Sequence, residues 1–138
     1  MHDAICVVRN MIVEPRVVTG GGSIELNCAI EIANAAKTEI SLEQYAMKGF
    51  ADALEQIPYA LAENCGYNSI EYVSNLKASQ IEEKNCHLGV NCFNQLKTDM
   101  KEQHVFEGLK AKKQQIQLAT QVAKMILKID DIITPANY

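Results

Sequence analysis

Apolar residues return at helical spacing along most of the chain, and the interruptions fall at proline, glycine and polar clusters. Ala4, Val7, Val8 and Met11 stand at i, i+3, i+4 and i+7, one face of an amphipathic helix. Pro15 closes it, because a proline disfavours helical conformation in the residue before it. A second helix is predicted from Ser23 to about Ala36, with Leu26, Ala29, Ile30 and Ala33 on its buried side. Lys37-Thr38-Glu39-Ile40 is a connector. Ser41 with Gln44 three residues on forms a capping box and opens a long helix with Ala46, Phe50, Ala53, Leu54, Ile57 and Leu61 as its stripe. Pro58 lies inside that helix, removes a backbone donor and crowds the carbonyl four residues back, so a kink or a break is expected there. Gly66 suits the C-terminal stop. Asn68 with Glu71 repeats the capping pattern, and a fourth helix should run to about Glu82 on a face set by Ile70, Val73 and Leu76 or Lys77.

The pattern changes after Lys84. Leu88–Phe93 reads as a short strand, Asn94-Gln95 as a turn lacking the favoured Asn-Gly pair, and Leu96–Thr98 as its partner strand. Asp99 to Gln103 suits a brief helical turn. From Lys110 to Leu127 the helical period returns, with Ile116, Ala119, Val122, Ala123 and Ile126 inward. Lys128–Ile133 departs from that period, and its β-branched residues predict a terminal strand closed by Pro135. Such a strand needs a neighbour for its backbone groups, from this chain or another. The expected fold is mainly α, with a small β-hairpin and a C-terminal strand.

Composition narrows the function classes. At 138 residues the chain is one domain or part of one. Apolar residues make up 48% and charged residues 22%, an ordinary globular balance. The net charge of −4, with no basic block and few aromatics, argues against a nucleic-acid surface. No apolar run approaches the length of a membrane span, and no signal-peptide pattern opens the chain. Cys6, Cys28, Cys65, Cys86 and Cys92 are odd in number and include no Cys-x-x-Cys, which argues against a disulfide framework or a zinc site and suits a reducing cytoplasm. Cys6 and Cys28 fall among apolar helical positions, as small core residues do.

Val17-Val18-Thr19-Gly20-Gly21-Gly22-Ser23 carries the most pointed local signal. Three glycines follow a β-branched run and open directly onto a helix, where unpaired N–H groups and the dipole favour a phosphate-bearing ligand. No Gly-Lys-Ser/Thr follows, and the glycine spacing is not that of a dinucleotide fingerprint. By itself, a tight loop with no ligand is the simpler reading. The other candidates are equally plain when taken singly. Asp3 is a first-turn carboxylate favoured by the helix dipole, Asn91 a turn or strand-end residue, and Glu107 a solvated acid ahead of a helix. Asp130 and Asp131 form the polar side of the predicted strand. Lys110, Lys112 and Lys113 suggest a solvated helix start, and His2, His87 and His104 show no ligand pattern.

Taken together, the motifs stand in a recognisable order. His2-Asp3-Ala4 on a helix is followed by Val-Val-x-Gly-Gly-Gly, then Gln44-Tyr45-Ala46 heading a long helix. Phe50-Ala51-Asp52-Ala53-Leu54-Glu55, Ile57-Pro58, Leu61-Ala62-Glu63-Asn64, Leu88-Gly89-Val90-Asn91, Asp99-Met100 and Leu127-Lys128-Ile129-Asp130-Asp131 follow. This order resembles the C-terminal part of a group II chaperonin subunit, and the resemblance covers essentially the whole chain. Lys112–Ile116 and Ile129–Ile132 are most like the eukaryotic cytosolic members. The resemblance implies that residues 1–15 end an intermediate domain or linker helix. Residues 16–138 would then form the C-terminal part of a mainly helical, ATP-binding equatorial domain. The opening methionine would not be native to that position, the chain being a piece of a longer subunit.

The resemblance also implies roles. Asp3 matches a catalytic aspartate that orients the water attacking the γ-phosphate. Gly20, Gly21 and Gly22 match the loop against the ribose and base side of the nucleotide. Asn91 matches a base contact, and Glu107 an acceptor for the ribose hydroxyls, a task suited to an acceptor-only carboxylate. The full-length subunit would use ATP with magnesium and pair with other subunits in a double ring. It would enclose unfolded clients of the actin and tubulin class, in the cytoplasm. The Gly-Asp-Gly-Thr segment that holds magnesium and phosphates in the family does not occur in this sequence, so the piece alone is expected to be inactive. No metal ligands are expected here. Ser23 stands where alanine is common, and Gly108 where proline is frequent. The alternative reading is a helical interaction module with no nucleotide role, whose exposed apolar helix faces make it self-associate.

Overall fold

The computed structural model describes residues 1–93 and 98–133 and divides them into two compact units, residues 17–107 and residues 1–16 with 108 onward. The first unit holds β1 (Val17–Thr19), α2 (Ser23–Thr38), α3 (Glu43–Asn64) and α4 (Ser69–Glu83), and at its end the first two residues of β2 (Phe106–Gly108). The second holds α1 (His2–Val13) and α5 (Leu109–Ile126). The mainly helical class expected above is the one observed.

The core of the 17–107 unit is built from one face of each helix. Leu26 and Ile30 of α2, Ala62 of α3, and Val73 and Leu76 of α4 meet Leu88 and Val90. Tyr59, Leu61, Tyr67 and Tyr72 pack around this cluster. The rings of Tyr67 and Tyr72 lie 5.0 Å apart with a 33° tilt, a separation at which aromatic pairs attract beyond their buried area. Lys77 of α4 forms an ion pair with Glu55 of α3.

Helix α3 stops as its sequence requires. Gly66 takes φ +77, the Tyr67 N–H donates to Ala62 O at 3.0 Å, and the Gly66 N–H donates to Glu63 O at 2.9 Å. This is a Schellman closure, which a Cβ-bearing residue would strain. Helix α4 begins at Ser69, one residue past the expected Asn68 cap. The Asn68 side chain donates to the Glu71 carboxylate at 3.3 Å rather than capping the backbone. The Ser41 hydroxyl accepts from the Glu43 N–H at 3.3 Å, two residues on rather than the three of a capping box, and α3 begins at Glu43 with Leu42 as its cap.

Pro58 does not break α3, which is continuous from Glu43 to Asn64. Its ring is buried against Gly22, where a Cβ would lie 3.1 Å from Pro58 Cβ, and this packing compensates for the lost hydrogen bond. The buried stripe of α3 is accordingly Ala51, Leu54, Pro58 and Ala62, while Ala46, Phe50, Ala53 and Ile57 are exposed.

The β content differs from expectation in three ways. The strands that form are β1 and β2, an antiparallel pair of three residues each. The predicted strand at Leu88 is reduced to one antiparallel bridge with Asp99, because the Val90 N–H is given to Gly21 O at 2.8 Å instead of to a strand partner. The expected turn at Asn94-Gln95 and the start of its second strand at Leu96-Lys97 lie outside the described residues, as does Pro135. Residues 129–133 form no strand; among the described residues they have no ladder neighbour, and an unpaired strand leaves its backbone groups unsatisfied. The helical turn after Asp99 does form: the Asp99 carboxylate accepts from the Lys101 N–H at 2.8 Å, and Gln103 N–H donates to Asp99 O at 3.2 Å.

In the other unit, the Leu109 N–H donates to Arg16 O at 3.0 Å, and Arg16 pairs with Glu14. The apolar faces here are not covered. Helix α1 has no buried residue, and Val122 and Ile126, expected inward on α5, are half or more exposed. Lys112, expected in solvent, is the buried residue of α5, at 8% exposure. A lysine can lay its apolar stem along a surface in this way.

Truncating Leu26, fully buried at the centre of the three-helix core, to alanine is expected to lower the unfolding free energy of the 17–107 unit by about 2–5 kcal/mol. Urea denaturation followed by far-UV circular dichroism measures this.

Candidate functional site

The chain leaves β1 through Gly20-Gly21-Gly22 and enters α2 at Ser23, with Gly22 as the helix cap. Gly21 and Gly22 take φ +66 and +72, a conformation that L side chains rarely adopt. The space around them is equally demanding. A Cβ on Gly21 would lie 2.6 Å from Met100 Sδ and 3.0 Å from Val90 O. One on Gly20 would lie 2.9 Å from Val105 Cγ1 and 3.1 Å from Glu107 Oε1. Across the gap, a Cβ on Gly89 would lie 3.0 Å from the carbonyl oxygens of both Gly20 and Gly21. Two backbones meet here at a distance that only glycines allow.

The loop is fastened from beneath. The Ser23 hydroxyl donates toward Thr19 O at 3.0 Å and Thr19 Oγ1 at 2.8 Å, and both residues are buried. The Gly20 N–H donates to Val105 O at 3.0 Å and holds the loop to the residue just before β2. Gln80 of α4, 3% exposed, donates its amide to Ser23 O at 3.2 Å and to Leu88 O at 2.7 Å. One side chain thus ties the start of α2 to the Leu88–Asn91 segment.

Asn91 is buried. Its carbonyl accepts from the Tyr67 hydroxyl at 2.9 Å and its side-chain oxygen from the Phe93 N–H at 2.9 Å. Burial raises the pKa values of the Tyr67 and Tyr72 hydroxyls beside it, which keeps them in the donor form. Glu107 is half-buried in β2, with its carboxylate over Gly20. Glu25, in the first turn of α2, is 1% exposed. Burial, then Glu25 and Glu31, raises the pKa of Cys28, so that thiol stays protonated.

The structure therefore brings Gly20, Gly21, Gly22, Asn91 and Glu107 into one neighbourhood of the 17–107 unit. Asp3 belongs to the other unit, exposed in the first turn of α1. Thr19, Ser23, Gln80 and Met100 also build this neighbourhood, and no sequence motif marked them for it. For Gln80 a signal existed, since it extends the Val73, Leu76 stripe at i+7 and i+4 yet is polar, and a polar residue on a core face has a partner to satisfy. Among the described residues, no three His, Cys, Asp or Glu side chains are grouped to hold a metal ion, and no helix is long and apolar enough to cross a membrane.

This arrangement of helices around a glycine-opened α2 is that of a chaperonin fold. The structure matches the open-state monomer of a group II chaperonin from Methanococcoides burtonii at a TM-score of 0.83 and 40% identity, over 93% of this chain and 32% of that one. Residues 1–137 match the TCP-1/cpn60 chaperonin family, and the chain belongs to that family. It is 43% identical over 134 residues to the T-complex protein 1 subunit epsilon of Encephalitozoon cuniculi, covering 97% of this chain and 25% of that protein. It is 41% identical over 138 residues to thermosome subunit alpha of Methanothermobacter thermautotrophicus, covering 100% and 25%. The chain thus spans about a quarter of the length of these curated relatives.

A paired substitution separates loop geometry from general glycine effects. Gly21→Ala meets both a positive φ and a 2.6 Å clash, and is expected to destabilise by about 1–3 kcal/mol. Gly49→Ala, in α3 with nothing within 4 Å of the new Cβ, is expected to stabilise by about 0.5–1 kcal/mol. Thermal melts of the two variants should shift in opposite directions.

Proposed function

We propose that the chain is the C-terminal, nucleotide-contacting part of a chaperonin subunit, residues 1–15 ending an intermediate-domain helix and residues 16–138 belonging to the equatorial domain. The observation that carries this reading is the convergence of three sequence-distant elements on one spot. Gly21 is hydrogen-bonded to Val90, the neighbour of Asn91, and the Glu107 carboxylate stands 3.1 Å from where a Gly20 Cβ would be. In that reading Gly20, Gly21 and Gly22 pack against the ribose and base side, Asn91 meets the base, and Glu107 accepts from the ribose hydroxyls. Asp3 orients the attacking water in the complete subunit. There the nucleotide is ATP with magnesium, hydrolysed to close and open a ring of subunits around unfolded proteins, actin and tubulin among them, in the cytoplasm. Charge on a transferring phosphoryl group requires metal and phosphate ligands, and the family's Gly-Asp-Gly-Thr segment that supplies them is absent from this sequence.

Titration of the chain with ADP or ATP, read by heteronuclear NMR, is expected to perturb Gly20–Gly22, Asn91 and Glu107. Glu107→Gln should weaken that binding roughly tenfold, since hydrogen bonds to a charged group contribute about 1.5–3 kcal/mol. ATP turnover by the chain alone should be absent. A flat titration, or turnover that depends on the glycine loop, overturns the reading.

A second reading, a helical interaction module without nucleotide, is favoured by the uncovered apolar faces of the other unit. Val7, Val8 and Ile12 on α1 and Leu118, Val122 and Met125 on α5 are all half or more exposed. Apolar surface on this scale drives association. Multi-angle light scattering is expected to show dimers or larger species at high concentration, and a clean monomer contradicts this.

A further inference from the structure

A pocket of about 430 Å³ lies between α2 and the end of α4, inside the 17–107 unit. One face of α2 lines it with Asn27, Glu31, Asn34 and Lys37, which recur every three or four residues. Gln80 of α4, Lys84 and Cys86 line it from the other side. Lys84 is the C-cap of α4 and takes φ +51, a left-handed turn that brings Cys86 back to the same wall. Two features point to a ligand. Gln80 is 3% exposed and gives its amide nitrogen to Ser23 O and Leu88 O, while its amide oxygen has no hydrogen-bond partner among the described residues. The two carbonyls settle which end of the amide is the oxygen. Buried acceptors are normally paired, so a group that answers this one from the pocket carries an N–H or O–H. The second feature is a base beside the thiol: Cys86 Sγ lies 4.0 Å from His87 Nδ1.

We propose that this pocket receives a small acidic thiol peptide of the glutathione type, and that Cys86 forms a mixed disulfide with it. At neutral pH glutathione carries two carboxylates and one ammonium. The pocket offers the complement in the ammonium groups of Lys37 and Lys84 and the carboxylate of Glu31. Lys37 Nζ gives one proton to Asn34 Oδ1 at 3.1 Å, which leaves two for a carboxylate. Asn27 and the unpaired Gln80 oxygen suit the peptide N–H groups. The volume falls in the range of small-molecule sites. The reaction is exchange with the oxidised, disulfide form of the peptide. The Cys86 proton passes to His87 Nδ1, and the Cys86 sulfur attacks the nearer sulfur of the peptide disulfide. That S–S bond breaks as the new one forms. The departing peptide thiolate takes the proton from His87 and leaves as a thiol. One disulfide is consumed and one is made, so no further oxidant is needed. Excess thiol reverses the step.

The chain is incubated with oxidised glutathione, quenched with acid, digested without reduction and mapped by mass spectrometry. The adduct is expected first at Cys86, ahead of Cys92, the more exposed thiol, and is lost on reduction. Hydroxyethyl disulfide, which is uncharged, should show no such preference. Lys37→Gln and Lys84→Gln should each slow the glutathione reaction at Cys86 roughly two- to fivefold, the worth of an exposed ion pair, and leave the uncharged disulfide unaffected. His87→Asn should slow both disulfides alike, because it serves the sulfur and not the peptide. Cys86→Ser, titrated with millimolar reduced glutathione and read by heteronuclear NMR, should shift the side-chain amides of Asn27 and Gln80. Reaction first at Cys92, or at Cys86 with no regard to the charge of the disulfide, in a chain of native circular dichroism, overturns the proposal. A flat titration of Cys86→Ser overturns it as well.

Discussion

The 17–107 unit depends on two backbones approaching within hydrogen-bonding distance at Gly21 and Val90, 2.8 Å apart. Side chains normally forbid such an approach. Here it is possible because Gly20, Gly21 and Gly89 face one another, and the positive φ of Gly21 and Gly22 turns the chain in time for α2 to start at Ser23. Around that contact the apolar core and the polar fastenings take consistent positions. Leu88 and Val90 enter the core only because their segment is anchored to the glycine loop, and Met100 fills the space beside it. The glycines thus have a structural reason that precedes any ligand. A ligand placed there uses a surface that packing has already shaped.

The polar groups beneath the loop raise the cost of disturbing it. Thr19, Ser23 and Gln80 are all nearly or fully buried and joined by hydrogen bonds. Each such bond contributes about 1 kcal/mol net, while leaving a buried partner unmade costs about 1–3. The network therefore favours one loop conformation. This is the preorganisation that a binding site on backbone needs, because a loop already held in place loses little freedom when a ligand arrives.

Much of this was legible in the residues. The helical period placed α2, α4 and α5 within one or two residues of their observed ends, because amphipathic spacing and terminal signals such as Gly66 act locally. The order of motifs pointed to the family, and the same order grouped the glycines with Asn91 and Glu107. What escaped was non-local. The buried face of α3 turned toward Pro58 because Gly22, far away in sequence, leaves a socket for it. The strand at Leu88 dissolved because its donor went to Gly21. The three-residue β1 and β2 are too short to announce themselves by alternation, and the strand expected after Lys128 lacks a neighbour among the described residues. Ser23 shows the limit of family comparison: it stands where alanine is common, yet its hydroxyl makes two buried hydrogen bonds to Thr19.

The seating of Pro58 against Gly22 has a mechanical consequence. A proline in mid-helix leaves the carbonyl of Leu54 without its usual donor, so α3 is softest where it touches the glycine turn. Bending stress on a long helix collects at such a point. Tilting either half of α3 would press the pyrrolidine ring into the turn or withdraw it. The turn, with no side chain to cushion it, would have to follow. The helix and the turn it touches therefore behave as a joint, in which the angle of one is written into the backbone of the other.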